Sequence, residues 1–130
     1  MTIENERYKT MKDDNLIIDK SFNFAIRIVH LYQFLCKEHK EFVLSKQVLR
    51  AGTSIGANVN EATQGQSKKD FLSKMNIALK EAVETKYWIK LLIQTEYLTD
   101  KQGDSIQKDC EEVIKILHAI VKTTKDNFDN

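Results

Sequence analysis

At 130 residues, 42% of them apolar, the chain is long enough for one domain with a buried core. Proline is absent and glycine occurs only four times, too little turn punctuation for a β-rich fold, so the chain reads as all-α. Twenty basic residues against nineteen acidic ones leave a net charge of +1; no whole-chain field draws in a polyanion, and only a local patch can do so.

Residues 1–14 (MTIENERYKTMKDD) are charged and aperiodic and are expected to form a flexible leader. They contain no apolar core of signal-peptide length, and no run of 18 apolar residues occurs anywhere in the chain. A cytoplasmic protein without a membrane span is the default expectation. Helix one is predicted from about Leu16 to His39. Its apolar positions fall in two neighbouring seams, Phe22, Ala25, Val29, Tyr32, Cys36 and Phe24, Ile28, Leu31, Leu35. A stripe that wide touches more than one neighbour.

Helix two is expected after a turn at Phe42–Leu44, with Ser45 as its N-cap. Its apolar seam is Val48, Gly52, Ile55, Val59, Ala62. The small and polar residues Gly52, Ser54, Gly56 and Asn58 mark a close helix–helix approach. Gln64-Gly65-Gln66 ends the helix, with Gly65 expected in the left-handed conformation. Ser67 and Asp70 match a capping box that opens helix three. Phe71, Met75, Ala78, Ala82, Thr85, Ile89 and Leu92 then repeat at alternating spacings of four and three, while Leu72, Leu79, Val83, Tyr87 and Leu91 form a second face.

Thr99 and Gln102 form another capping box before helix four, whose seam is Ile106, Cys110, Val113, Leu117, Ile120. Short connections favour antiparallel neighbours, so residues 15–126 are predicted to make an up-down-up-down four-helix bundle, with 127–130 a C-terminal tail. The isolated thiols Cys36 and Cys110 lack CxxC spacing and fall on apolar helix faces, where cysteine behaves as a small hydrophobe.

Chemistry-bearing patterns are sparse. Di-iron bundles need Glu-x-x-His pairs, and none of His30, His39 and His118 has a glutamate three residues before it. An Arg-x(4–6)-His motif, used by one type of helical ribonuclease, is not met, because only two residues separate Arg27 from His30. No nucleophile–base pattern, Gly-rich phosphate loop or H-E-x-x-H stands out, so no enzyme, metal or cofactor is expected. Glu61 shares a helix face with Ala51, Ser54 and Asn58. With Lys80 and Lys86 as cations and Glu84 as a second carboxylate on helix three, it is read either as a buried polar network that fixes register or as a partner site. Lys101, Lys108, Lys115 and Lys122 recur every seven residues, a solvated face or a phosphate-contacting ridge with points about 10 Å apart. Lys68 and Lys69, at the start of helix three, are a second nucleic-acid candidate, helped by the positive end of the helix dipole. With three arginines, Arg7, Arg27 and Arg50, the chain has little scope for bidentate phosphate or base recognition.

The blocks SIGANVNEA (Ser54–Ala62), QSKKDF (Gln66–Phe71), IALKEAVET (Ile77–Thr85) and Tyr87-Trp88 resemble, in order and spacing, the four-helix-bundle family encoded by intervening sequences in bacterial 23S rRNA genes. The resemblance extends from helix one through helix four. It implies an antiparallel bundle and a ring-like homopentamer, and it brings no catalytic residues to transfer. Glu61 and Glu84 match characteristic acidic positions of the family's motif. More remotely, the chain is similar to pentameric accessory proteins of diversity-generating retroelements, which bind nucleic acid and a reverse transcriptase. Two readings follow: a homo-oligomeric adaptor or accessory factor associated with RNA or an RNA-processing partner, or a protein-only scaffold.

Overall fold

In the computed structural model the backbone is described for residues 3–129 and side chains for residues 14–128. Four helices occupy nearly all of it: α1 (Ile3–His39), α2 (Leu44–Thr63), α3 (Lys68–Gln94) and α4 (Asp100–Asp129), with no strand among the described residues. Each helix packs on the next, and α4 returns to α1, so α1 and α3 are diagonal partners across the bundle. Every packed pair is antiparallel. Cys36 lies by Ser45 while Ser21 lies by Gly56, and Arg50 pairs with Glu84 while Glu61 pairs with Lys74.

One of the two predicted seams on α1 and one of the two faces on α3, with the seams of α2 and α4, make the core; the Phe22–Cys36 seam and the Leu72–Leu91 face are half-buried or exposed. Phe24, Ile28, Leu31 and Leu35 of α1 meet Val48, Ile55 and Val59 of α2, Met75, Ala82 and Ile89 of α3, and Cys110, Val113 and Leu117 of α4. Burial of these apolar surfaces drives folding, since helices of this kind are marginal alone in water. Ile17 and the buried Ser21 extend the core about two turns beyond the predicted seam. Helix α1 itself starts at Ile3 rather than near Leu16, so the expected leader contributes residues to the helix; Met1 and Thr2 lie outside the described residues, as does Asn130 of the expected tail.

The connections correct two sequence expectations. Ser45 is not the N-cap of α2. Its side chain is buried, with its hydroxyl 3.8 Å from Cys36 Sγ, and is turned to the core. The orphan amides are taken instead by Glu41, whose Oε1 accepts from Val43 and Leu44 N–H at 2.9 Å each and whose Oε2 accepts from Ser45 N–H at 2.7 Å. Partial burial pushes the Glu41 carboxyl up, but those three amides and the Ser45 hydroxyl outweigh it and hold the group below the usual glutamate range. Gly65 is not left-handed either. The chain leaves α2 with Gly65 N–H bonded to Ala62 O at 3.1 Å, a tightened last turn that needs no positive φ.

The N-termini of α3 and α4 follow their sequence signals. Ser67 Oγ accepts from Asp70 N–H at 3.0 Å and starts α3. Thr99 and Gln102 make the full reciprocal box, Gln102 N–H to Thr99 Oγ1 at 3.1 Å and Thr99 N–H to Gln102 Oε1 at 3.0 Å. Helix α3 closes in a Schellman arrangement, with Tyr97 N–H on Leu92 O and Glu96 N–H on Ile93 O, both at 3.0 Å. The left-handed position is held by Glu96 (φ 68°), a residue no composition rule would have chosen.

Candidate interaction surfaces

The small-residue stripe of α2 is a packing device with two unequal glycines. Gly52 lies against α1 so closely that a Cβ there would sit 2.6 Å from Ile28 Cγ1 and 2.8 Å from Cγ2. At Gly56 a Cβ would meet Ser21 O and Oγ at 3.5 Å, an ordinary contact. Ser54 and Asn58 are half-buried and bond within their own helix, Ser54 to Ala51 O and Asn58 to Ser54 O, each at 2.9 Å. Gly103, which the sequence reading passed over, fills the equivalent place between α4 and Ile93; its position three residues before the seam residue Ile106 was the available signal.

Glu61, Lys80 and Glu84 do not form one buried network in the protomer. Glu61 is exposed and pairs with Lys74 at 2.8 Å. Glu84 receives Arg50 Nη2 at 2.6 Å and Trp88 Nε1 at 3.4 Å, and Arg50 Nη1 also reaches Glu81 at 3.3 Å. The two glutamates are opposite-end clasps of the antiparallel α2–α3 pair. The register that sets Arg50 beside Glu84 and Glu61 beside Lys74 separates them by roughly 16 Å along the helices. Lys80 is exposed between them, and Lys86 turns to Glu111 of α4 at 3.5 Å. These pairs are solvated, so each contributes under about 1 kcal/mol.

The α4 lysines Lys101, Lys108, Lys115 and Lys122 are all exposed, as are Lys68 and Lys69 at the start of α3. The ridge is flanked on its own helix by Asp104 and Glu111, also exposed, which dilute its positive field.

Outward apolar surface is the feature that the bundle core leaves unexplained. On α1, Phe22 is 59% exposed and Ile26 41%, with Val29 beside them on the same stripe. On α3, across the diagonal, Tyr87 is 58% exposed and Val83 50%, one turn apart. Scattered exposed hydrophobics are normal; here the exposed residues recur at helical spacing on two opposite faces. Trp88 is half-buried against the core, leaving Tyr87, whose ring meets it edge-on at 5.2 Å, as the outward aromatic.

Among the described residues no cluster of His, Cys, Asp or Glu is placed to hold a metal, and no helix is long and apolar enough to cross a membrane. Cys110 is buried and donates to Ala82 O at 3.4 Å; burial pushes its thiol up to about 12, Glu111 adds to the rise and Lys86 opposes it.

The architecture is therefore that of an antiparallel four-helix bundle with outward-facing apolar stripes. The chain belongs to the 23S rRNA-intervening sequence protein family, whose model matches residues 13–119. It is similar, at 60% identity and a TM-score of 0.83, to a crystal structure of a protein of unknown function from the S23 ribosomal protein family of Bacteroides thetaiotaomicron VPI-5482; the match covers 85% of this chain and 98% of that one. No curated protein matches the chain.

Proposed function

We propose that this chain is a non-enzymatic, cytoplasmic module that assembles with copies of itself and serves as an adaptor or accessory factor for RNA or an RNA-processing partner. The observation that carries the reading is the pair of apolar stripes, Phe22, Ile26, Val29 on α1 and Val83, Tyr87 on α3, facing away from the bundle core. A two-fold dimer needs one self-complementary patch; two different patches on diagonal helices suit head-to-tail contacts, which close into rings. A pentameric ring is the stoichiometry proposed.

The RNA half of the proposal rests on the exposed lysine ridge of α4, on Lys68 and Lys69, and on the family to which the chain belongs. One protomer carries too few unopposed cations for tight phosphate binding, whereas a ring repeats each patch and gains avidity. Binding is then modest, sequence-tolerant and steeply weakened by salt as phosphate contacts release counterions. The interleaved Asp104 and Glu111 favour the competing reading, a scaffold that contacts proteins alone. Fluorescence anisotropy with labelled single-stranded and structured RNAs at low salt separates the two. The adaptor reading expects binding by the wild type and its loss in the Lys108→Glu, Lys115→Glu, Lys122→Glu triple variant, with assembly mass unchanged. No wild-type binding, or undiminished binding by the variant, would replace it with the protein-only scaffold.

A further inference from the structure

Helices α1 and α4 share the thinnest of the four helix contacts, and near the α3–α4 turn they part around a groove of about 530 Å3. Its floor is aliphatic: Leu31 of α1, Ile106 of α4 and Leu98 from the turn, all buried except where they face the opening. Its rim is basic: Arg27 and His30 on α1 and Lys101 on α4, with no carboxylate among the lining residues. The antiparallel register that sets Arg27 against Ser105 brings Lys101 opposite the next turn of α1, so Arg27 and His30 stand on one wall of the opening and Lys101 on the other.

Arg27 is pre-positioned. Its Nη1 donates to Asp109 Oδ2 at 2.6 Å and to Ser105 O at 3.3 Å, and its Nη2 donates to Ser105 Oγ at 3.1 Å. A guanidinium has five N–H donors, so about two remain for a ligand. Asp109 offsets the Arg27 charge, but Lys101 and His30 make no ion pair among the described residues. An apolar floor beneath the unpaired Lys101 ammonium and the free donors of Arg27 is complementary to a molecule with an acid head and an apolar body.

The geometry points to this groove as a binding site for a small amphipathic carboxylate, its head at Lys101 and Arg27 and its alkyl body over Leu31, Leu98 and Ile106. The lining of α1 from Arg27 to Phe34 is about 10 Å long, the scale of a short alkyl chain and too short for a partner helix. A nucleotide fits the chemistry less well. Bases bind by stacking on an aromatic plane, and Phe34, at the edge of the groove, is already engaged with His39 in an edge-on contact at 5.3 Å.

The test uses the full-length protein with isotope-labelled Leu and Ile methyls, titrated with octanoate, with 1-octanol (the body without the charge), with acetate (the head without the body) and with AMP. Octanoate is expected to shift the methyls of Leu31, Leu98 and Ile106 at concentrations where the other three leave them unmoved. Lys101→Glu, at an exposed position, should keep the wild-type melting temperature and assembly mass while weakening octanoate by about tenfold, the loss expected when an attractive charge becomes a repulsive one at a solvated rim. Equal binding of 1-octanol, tighter binding of AMP, unchanged affinity in Lys101→Glu, or no shift with octanoate would each overturn the assignment. The groove is read by the methyl shifts of the wild type, whereas self-assembly and RNA binding are read separately, by mass and by anisotropy.

Discussion

Gly52 and Gly56 lie one helical turn apart on the same stripe, yet alanine should move stability in opposite directions at the two sites. At Gly52 the added methyl would meet Ile28 Cγ1 at 2.6 Å, so reaching an ordinary contact of 3.4 Å requires about 0.8 Å of relief. Ile28 is fully buried and β-branched, so it has little rotamer freedom with which to yield, and α1 and α2 must separate. Overpacking of this kind costs about 1–3 kcal/mol, and the better helix propensity of alanine returns about 1 kcal/mol. The net expectation for Gly52→Ala is a loss of about 1 kcal/mol, roughly 3–5 °C in melting temperature for a chain of this length. At Gly56 the nearest atoms, Ser21 O and Oγ at 3.5 Å, accept a methyl without movement. Gly56→Ala should therefore gain roughly 0.5–1 kcal/mol from propensity alone. Thermal and urea melts followed by circular dichroism, at one fixed protomer concentration because assembly shifts the midpoint, give both values. A Gly52→Ala variant as stable as Gly56→Ala would refute the claim that α1 and α2 are in closest contact at Ile28.

Three further outcomes follow from the helix ends and the buried thiol. Glu41→Gln should destabilise the protein at neutral pH. Because the folded-state pKa is lowered, the wild type's advantage is complete above the ordinary glutamate range and disappears as pH falls through the lowered value, so stability curves of the two proteins against pH should converge in acid; a constant gap would show that the charge is not what caps α2. Glu96→Gly should stabilise by up to about 1 kcal/mol, since Glu96 holds a left-handed φ of 68° that glycine adopts without steric penalty; an unchanged urea midpoint would count against strain at that turn. Cys110 should resist a thiol reagent such as dithionitrobenzoate until the protein is denatured, because burial raises its thiol to about 12 and shields it, whereas half-buried Cys36 reacts in the folded state; labelling of Cys110 in native protein, seen by peptide mass, would contradict the packing of α3 on α4.

The bundle was legible because its information is periodic. Core positions such as Ile28, Val59, Ala82 and Leu117 recur at helical spacing, and the Ser67 and Thr99 caps announce α3 and α4 through short-range chemistry that spacing alone encodes. Errors fell where tertiary contact decides. Ser45 has the right residue type for an N-cap, but its burial beside Cys36 commits the side chain to the core, and Glu41, which does the capping, reaches forward from outside the helix. Gly65 has the composition of a left-handed terminus without the conformation, while Glu96 has the conformation without the composition. The candidate polar network failed for a geometric reason. Glu61 and Glu84 share the α2–α3 interface, but antiparallel register sets them at opposite ends of it, a distance that sequence separation does not reveal. The α1–α4 groove was invisible for the same reason, since Arg27 and Lys101 come together only when the bundle closes.

The central claim, that the outward stripes of α1 and α3 are faces for further copies of this chain, is tested most directly by multi-angle light scattering of the purified protein at micromolar concentration. The protomer mass is 15.1 kDa, and the account predicts a single species at an integral multiple of it, five for a closed pentameric ring, with Phe22→Glu or Val83→Glu shifting the protein to the protomer mass while its circular dichroism stays helical. A two- or fourfold mass would change the stoichiometry alone. A 15.1 kDa wild-type species at that concentration would contradict the claim itself.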